Sequence, residues 1–436
     1  MRKAMEELNY LKRLSAVKSG KGIKFLSPAI SPGCHCPMRM ASLTAKEISG
    51  LSSLLIGMPE CATHVRLFNP KPEGKNGELH WLYVLDQHEV VFGCRKGIMS
   101  ALRQMDQAGA KAILLIATCI PELIGEDMEG IIQEIQPELS AQVTYVMLGQ
   151  FKHFSHPPGY WKTLEAMGTL MAARQTNPRC INVLGRSPKE THLPKPALLA
   201  QLESKDLTVR YLASGASLTE FQAVPDAVLN LVVSPYAQPL ATYMEQTFGI
   251  PYIALHTRFS VADIDHVYEK LARLFNIDWD GVFAQERIKA LELEKKASQI
   301  LNGLRFIGSV GISMPLAFAS YLSSFGMEPV LLHMDEFYVE DKEHAKKLLA
   351  QGWNPLICRM VNQDAEYPIL EKLAVDICFG TLPIRRQAIP NIDHMRSFHG
   401  KAGYELATQL LHQILDGAEK INFSKKGGSE HGTASL

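Results

Sequence analysis

The 436-residue chain has no excess charge of either sign: 45 Lys and Arg stand against 45 Asp and Glu. That balance gives no electrostatic case for nucleic acid or an anionic membrane surface as a partner. Runs of 18 or more apolar residues are absent. The opening segment "MRKAMEELNYLKRLSAVKSGKG" is charged and amphipathic, without the apolar core of a signal peptide. The expectation is a cytoplasmic protein. No CxxC pair and no histidine-rich spacing supports a zinc site. The glycine turn "GSVGIS" lacks the third glycine and the acidic ribose ligand of a dinucleotide loop.

What remains is the composition of a globular protein, 46% hydrophobic and 21% charged. The length is too great for one ordinary core. Three segments each read as an α/β unit. "KAILLIATC" is an apolar strand, followed by the helix-like "GEDMEGIIQEIQPEL" and the strand "QVTYVMLG". "CINVLGRS", "DLTVRYLAS" and "AVLNLVVS" are strands at α/β spacing. "LRFIGSVGISMPLAFASYLSSFGMEPVLLHM" reads as strand, turn, helix and strand. Short apolar runs alternating with helical patterns predict mostly parallel sheets covered by helices. The expected fold is α/β, with three Rossmann-like domains around a central cleft. The expected divisions are an N-terminal extension over 1–25, domains over 26–175, 176–300 and 301–420, and a disordered polar tail over 421–436. The charged helix "QERIKALELEKKASQILNG" and the Pro-rich "RSPKETHLPKPAL" are the expected joints.

Eight cysteines are present: Cys34, Cys36, Cys61, Cys94, Cys119, Cys180, Cys358 and Cys378. In a reducing compartment these are not expected to be disulfides. Five fall between positions 34 and 119, which raises metal or cluster ligation. Cys358 and Cys378 sit in apolar, strand-like runs and read as buried structural thiols. Cys36, Cys61 and Cys119 instead follow or lie between backbone-breaking residues, in "SPGCHCPMR", "LLIGMPECATHVR" and "IATCIPELIGED". In a parallel sheet, loops at the carboxyl ends of strands converge on one crevice. Three thiolates there suit an iron–sulfur cluster, with the fourth ligand a non-Cys group or one from another subunit. A helix beginning just after Cys119 would favour the negative charge of such a cluster. Pro121 fits its start, and Glu126, Asp127 and Glu129 suit its first turns.

At these residues the chain resembles the nitrogenase component 1 family, which includes the nitrogenase subunits, cofactor-assembly scaffolds and dark-operative tetrapyrrole reductases. "TCIPELIGEDMEGII" resembles the family's strand–Cys–Ile-Gly-Asp-Asp signature. "DQHEVVFGCRKGIMSAL" resembles its Val-Phe-Gly-Gly segment, with Cys94 replacing the second glycine. "LASGASLTEFQAVPDAVLNLVV", "YMEQTFGIPYI", "FGMEPVLLH" and "GKAGYELATQLLHQIL" follow in the family's order, so that the resemblance spans roughly 30 to 415. The spacing of 25 residues from Cys36 to Cys61 and 58 from Cys61 to Cys119 is similar to that of the β-type subunit.

The resemblance implies that Cys36, Cys61 and Cys119 are ligands of an iron–sulfur cluster. That cluster would be a four-iron cluster or a P-type eight-iron cluster shared with a partner subunit. Cys34 is a rival for the first position, Cys94 an extra candidate ligand that reads better as a small buried thiol, and Ser155 a further candidate in "FKHFSHPPGYW". The family's α-type cofactor ligands are not matched: Ser234 and Pro390 stand where a cysteine and a histidine would align, with His394 and His399 off register. His64, His88, His153 and His156 lie near the cysteines in sequence. Asp86 and Glu89 read as capping a "VVFG" strand.

The implied partners are an α-type subunit or a second copy of this chain, and an ATP-dependent iron-protein reductase, with neither nucleic acid nor membrane. The implied function is a β-type oxidoreductase subunit that passes electrons to a substrate, or alternatively a scaffold for maturing a nitrogenase-type metallocofactor.

Overall fold

The computed structural model describes residues 8–27, 36–61, 63, 74, 76–153, 156–186, 195–213, 215–312, 314–383, 389–393, 395, 398 and 401–430. They form a mixed α/β protein with three mostly parallel sheets, distributed over two compact units.

The first unit takes in residues 34–194 and 202–254. Its leading sheet is built from β1 (Ser52–Gly57), β2 (His80–Val84), β3 (Ala112–Ala117) and β4 (Gln142–Met147). They are parallel in the order β2-β1-β3-β4. β1 and β3 are buried along their whole length, as the continuous runs "SSLLIG" and "AILLIA" require of central strands. The two-residue period divides their side chains between two cores. Leu54, Ile56, Ile113, Leu115 and Ala117 pack on one face, and Leu55, Ala112, Leu114 and Ile116 on the other.

The second sheet of this unit joins β5 (Asn177–Arg186), β6 (Thr208–Ala213), β7 (Ala227–Val232) and β8 (Tyr252–Ala254), in the order β8-β7-β5-β6. A short parallel pair, Ile48–Ser49 with Ala216–Ser217, forms a separate two-stranded sheet in this unit.

The other unit takes in residues 1–33, 195–201 and 255–436. Its sheet runs through β9 (Arg305–Gly308), β10 (Glu328–His333), β11 (Leu356–Cys358) and β12 (Ile377–Phe379), in the order β11-β10-β9-β12. Lys12–Arg13 adds an antiparallel edge to β11, and Arg359 exchanges backbone hydrogen bonds with Lys24 and Leu26. The charged N-terminal segment is therefore built into this sheet and covers an edge that would otherwise be open to pairing. Cys358 and Cys378 are fully buried in it, as expected of structural thiols. The long C-terminal helix spans Gly403–Glu430, through much of the segment read from sequence as a polar tail. Among the described residues no helix is long and apolar enough to cross a membrane.

Two local readings change. The "VVFG" segment is not a strand: Gln87–Phe92 is a short helix, with Asp86 and Glu89 forming a reciprocal capping box at its start. Aspartate at the cap and glutamate three residues on satisfy two orphan amides, and this local signal outweighs the β propensity of two valines. The single helix expected after Cys119 is two, Cys119–Leu123 and Met128–Ile135. Gly125, with φ of 74°, turns the chain between them, and Asp127 caps the second by accepting the Gly130 amide at 2.9 Å.

Candidate functional site

In the leading sheet the chain leaves β1 for β2 on one side and β3 for β4 on the other. The connections therefore diverge between the carboxyl ends of β1 and β3, where open α/β sheets form their ligand crevice. Ile56 is in register with Ala117 at that point. Cys61 follows one strand end by four residues and Cys119 the other by two. Both are half-buried free thiols, in contrast to the fully buried Cys94, Cys180, Cys358 and Cys378.

The two strand ends touch at Gly57. A methyl group on Gly57 would lie 2.6 Å from Thr118 Oγ1 and 3.0 Å from Cys61 Sγ. The absence of a side chain there is what lets the Cys61 sulfur lie against the end of β3. Thr118 is fixed in turn by its hydroxyl donating to the Ile56 carbonyl at 2.8 Å.

Cys119 opens its five-residue helix, and its sulfur accepts the Gln150 amide at 3.2 Å. Gln150 lies in the loop leaving β4, so that three adjacent strand ends contribute to this corner. Cys36 borders the same apolar cluster as Cys61, beside the buried Met38. The following residue, Pro37, packs so closely on the helix Pro157–Met167 that a Cβ on Gly159 would meet its carbonyl oxygen at 1.8 Å.

Cys94 belongs elsewhere. It packs in the cluster on the opposite face of the sheet, and both its amide and its thiol donate to Glu126 Oε2, at 2.6 and 3.3 Å. Burial, reinforced by that carboxylate, pushes its thiol up to about 12. A thiol so held is a hydrogen-bond donor and not a thiolate. Burial likewise raises Cys180, Cys358 and Cys378.

Cys34, His64, Ser155, His394 and His399 lie outside the described residues. His88 packs at a tilt against the exposed Phe92, with ring centroids 4.5 Å apart. His153 and His156 are half-buried in and after the loop that carries Gln150. Ser234 receives the Tyr236 amide at the start of a short turn, and the exposed Pro390 gives its carbonyl to Cys378.

Sequence reasoning passed over Gly57, Thr118, Glu122 and Gln150. Glu122 is nearly inaccessible, yet it accepts the Gly149 amide at 2.5 Å and pairs with Lys152 Nζ at 2.9 Å. Its only signal in the sequence is a position one helical turn beyond Cys119.

The donor set at this corner is soft sulfur, half-exposed and free of disulfides, which fits iron–sulfur ligation. Among the described residues no three His, Cys, Asp or Glu side chains converge on a point where one metal ion could be held. A cluster differs from a single ion in that each iron takes its own thiolate, so its ligands are spread apart.

Around the corner stands an apolar rim. Met58, Val84, Val91, Phe92, Leu123, Ile124 and Phe151 are the exposed large hydrophobics described in this unit, and all lie at or just beyond the carboxyl ends of β1 to β4.

These features define a Rossmann-type α/β protein with cysteines at a topological switch point. The chain belongs to the nitrogenase component 1 type oxidoreductase family, whose description matches residues 36–418. It is 24% identical over 354 residues to a nitrogenase iron-molybdenum cofactor biosynthesis protein NifE of Bradyrhizobium diazoefficiens, covering 76% of this chain and 63% of that protein. It is 25% identical to the NifE of Clostridium pasteurianum, covering 62% and 60%. The chain thus spans under two thirds of the length of these relatives. A nitrogenase Cp1 structure at pH 6.5 superposes with a TM-score of 0.65 at 17% identity, covering 90% of this chain and 94% of that one. This likeness is one of fold.

Proposed function

We propose that the chain is the β-type subunit of a nitrogenase-like oxidoreductase, holding an iron–sulfur cluster through Cys36, Cys61 and Cys119 at an interface with a partner chain. The observation that carries this reading is the Cys61 sulfur lying against Gly57, where Thr118, the residue before Cys119, also packs at the switch point, inside a rim of exposed apolar side chains. A monomeric surface rarely concentrates its large apolar groups on one edge, whereas an interface buries them. The missing ligands would come from the facing subunit, an α-type chain or a second copy.

When bound, the cluster would supply one-electron storage with little change in geometry. The protein's part is to orient the sulfurs, to donate the Gln150 amide to one of them, and to keep water off the buried face through Met38, Leu148 and Ile116. Electrons would come from an ATP-dependent iron-protein reductase and pass to a substrate held with the partner. Ser234 and Pro390 at the α-type ligand positions support a chain that does not itself ligate a nitrogenase-type metallocofactor.

A second reading, a scaffold for cofactor maturation, is favoured by the names of the NifE relatives. One experiment separates the two. The chain is purified without oxygen together with its co-expressed partner, mixed with a reductase iron protein and ATP, and followed by EPR. ATP-dependent reduction of the cluster that recurs over many cycles is expected of the oxidoreductase. Loss of iron to an added metal-free acceptor protein, without repeated reduction, would favour the scaffold.

A further inference from the structure

Glu122 is the one acidic side chain of the Cys119 helix, and it is turned inward with a side chain only 6% exposed. Burying a carboxylate is costly unless its oxygens are paired. Here both are, and both partners come from one loop: the Gly149 amide donates to Oε2 at 2.5 Å, and Lys152 Nζ lies 2.9 Å from Oε1. Between these two anchors sits Gln150, whose amide donates to Cys119 Sγ at 3.2 Å. The loop is closed further by the Lys152 and His153 amides donating to the Gly149 carbonyl, at 3.0 and 3.2 Å. One carboxylate therefore grips the loop on both sides of the amide that meets the sulfur.

We propose that Glu122 is a positioning residue that holds the Gln150 amide on the Cys119 sulfur, and that its ion pair with Lys152 sets how firmly that amide is held. An amide donating to a ligand sulfur stabilises the more negative, reduced state of a cluster, so that removing it lowers the reduction potential. This second consequence rests on the cluster reading above; the first does not.

The test compares the full chain with Glu122→Ala, Glu122→Gln and Lys152→Met. Lys152 is half-exposed, so Lys152→Met and the isosteric Glu122→Gln keep the test open where the alanine variant does not fold. Hydrogen exchange of the Gly149 and Gln150 amides is measured on metal-free protein, and the midpoint potential by EPR on iron-loaded protein. Exchange at Gln150 should quicken at least tenfold in Glu122→Ala and by less in Lys152→Met, and the potential should fall in the same order. Unchanged exchange at Gln150 in folded variants would overturn the proposal, and quickened exchange with an unmoved potential would overturn its consequence for the cluster. If wild-type protein takes up no iron, the cluster reading fails while the exchange arm still decides the role of Glu122.

Discussion

The Cys94 amide and thiol converge on a single carboxylate oxygen of Glu126, at 2.6 and 3.3 Å, on the face of the sheet away from Cys36 and Cys61. Cys94 thus has a local use: it precedes the helix Arg95–Gln107, and its thiol adds a second donor on Glu126 beside its backbone amide. Cys94→Ala should leave iron content unchanged, whereas Glu126→Ala strands a buried amide and should cost about 1–3 kcal/mol in urea unfolding. Loss of iron in Cys94→Ala would move that thiol into the ligand set.

Gly57 is the contact between the two strand ends. Gly57→Ala places a methyl 2.6 Å from Thr118 Oγ1 and 3.0 Å from Cys61 Sγ, closer than such atoms can stand. The crowding should cost about 1–3 kcal/mol and lower iron uptake on reconstitution. Iron analysis beside a urea titration separates displacement of the sulfur from a general loss of fold. Equal iron content at reduced stability would mean that the sulfur adjusts.

The strands were legible because central parallel strands are nearly pure apolar runs: "AILLIA" and "AVLNLV" correspond closely to β3 and β7. Helices were legible where they were long, as over Ala284–Ile300. Two misreadings fell at short elements, where local capping decides. Asp86 and Glu89 turned a valine-rich segment into a helix, and Gly125 split another. At the site, the thiols were visible because of their unusual context. Glu122 and Gly57 were not, since a glutamate in a helix and a glycine after a strand are ordinary until the third dimension brings them to a sulfur.

Two buried groups give the stability opposite dependences on pH. Burial pushes the carboxyl of Asp341, at the start of the helix Asp341–Ala350, up to about 7, although it accepts the Tyr338 amide at 2.8 Å. Against about 3.9 in the unfolded chain, the folded protein then binds the extra proton, and this contribution is lost as pH rises from about 4 through 7. Burial pulls His80 down to about 4, helped by Lys46. Its contribution is present above the unfolded value of about 6.5 and is lost as pH falls toward 4. Asp341→Asn should therefore gain on wild type between pH 5 and pH 8, by more than about 1 kcal/mol at about 1.4 kcal/mol per pKa unit. A constant difference across that range in chemical unfolding would contradict the assignment.

Phe92 and Leu123 stand 75% and 66% exposed on the rim. Phe92→Asp and Leu123→Asp should change monomer stability by no more than about 0.5 kcal/mol while weakening association with the partner chain or a second copy at least tenfold. Sedimentation of wild type and variants, alone and with the co-expressed partner, checks this. Undiminished association in both variants would place the interface elsewhere.

The most direct measurement is iron and acid-labile sulfide in protein purified without oxygen, with and without its co-expressed partner, for wild type and for Cys36→Ala, Cys61→Ala, Cys119→Ala and Cys94→Ala. The account predicts an EPR-active cluster in wild type and Cys94→Ala, and its loss or severe depletion in each of the other three. No iron in any combination, or equal iron in all five proteins, would contradict it.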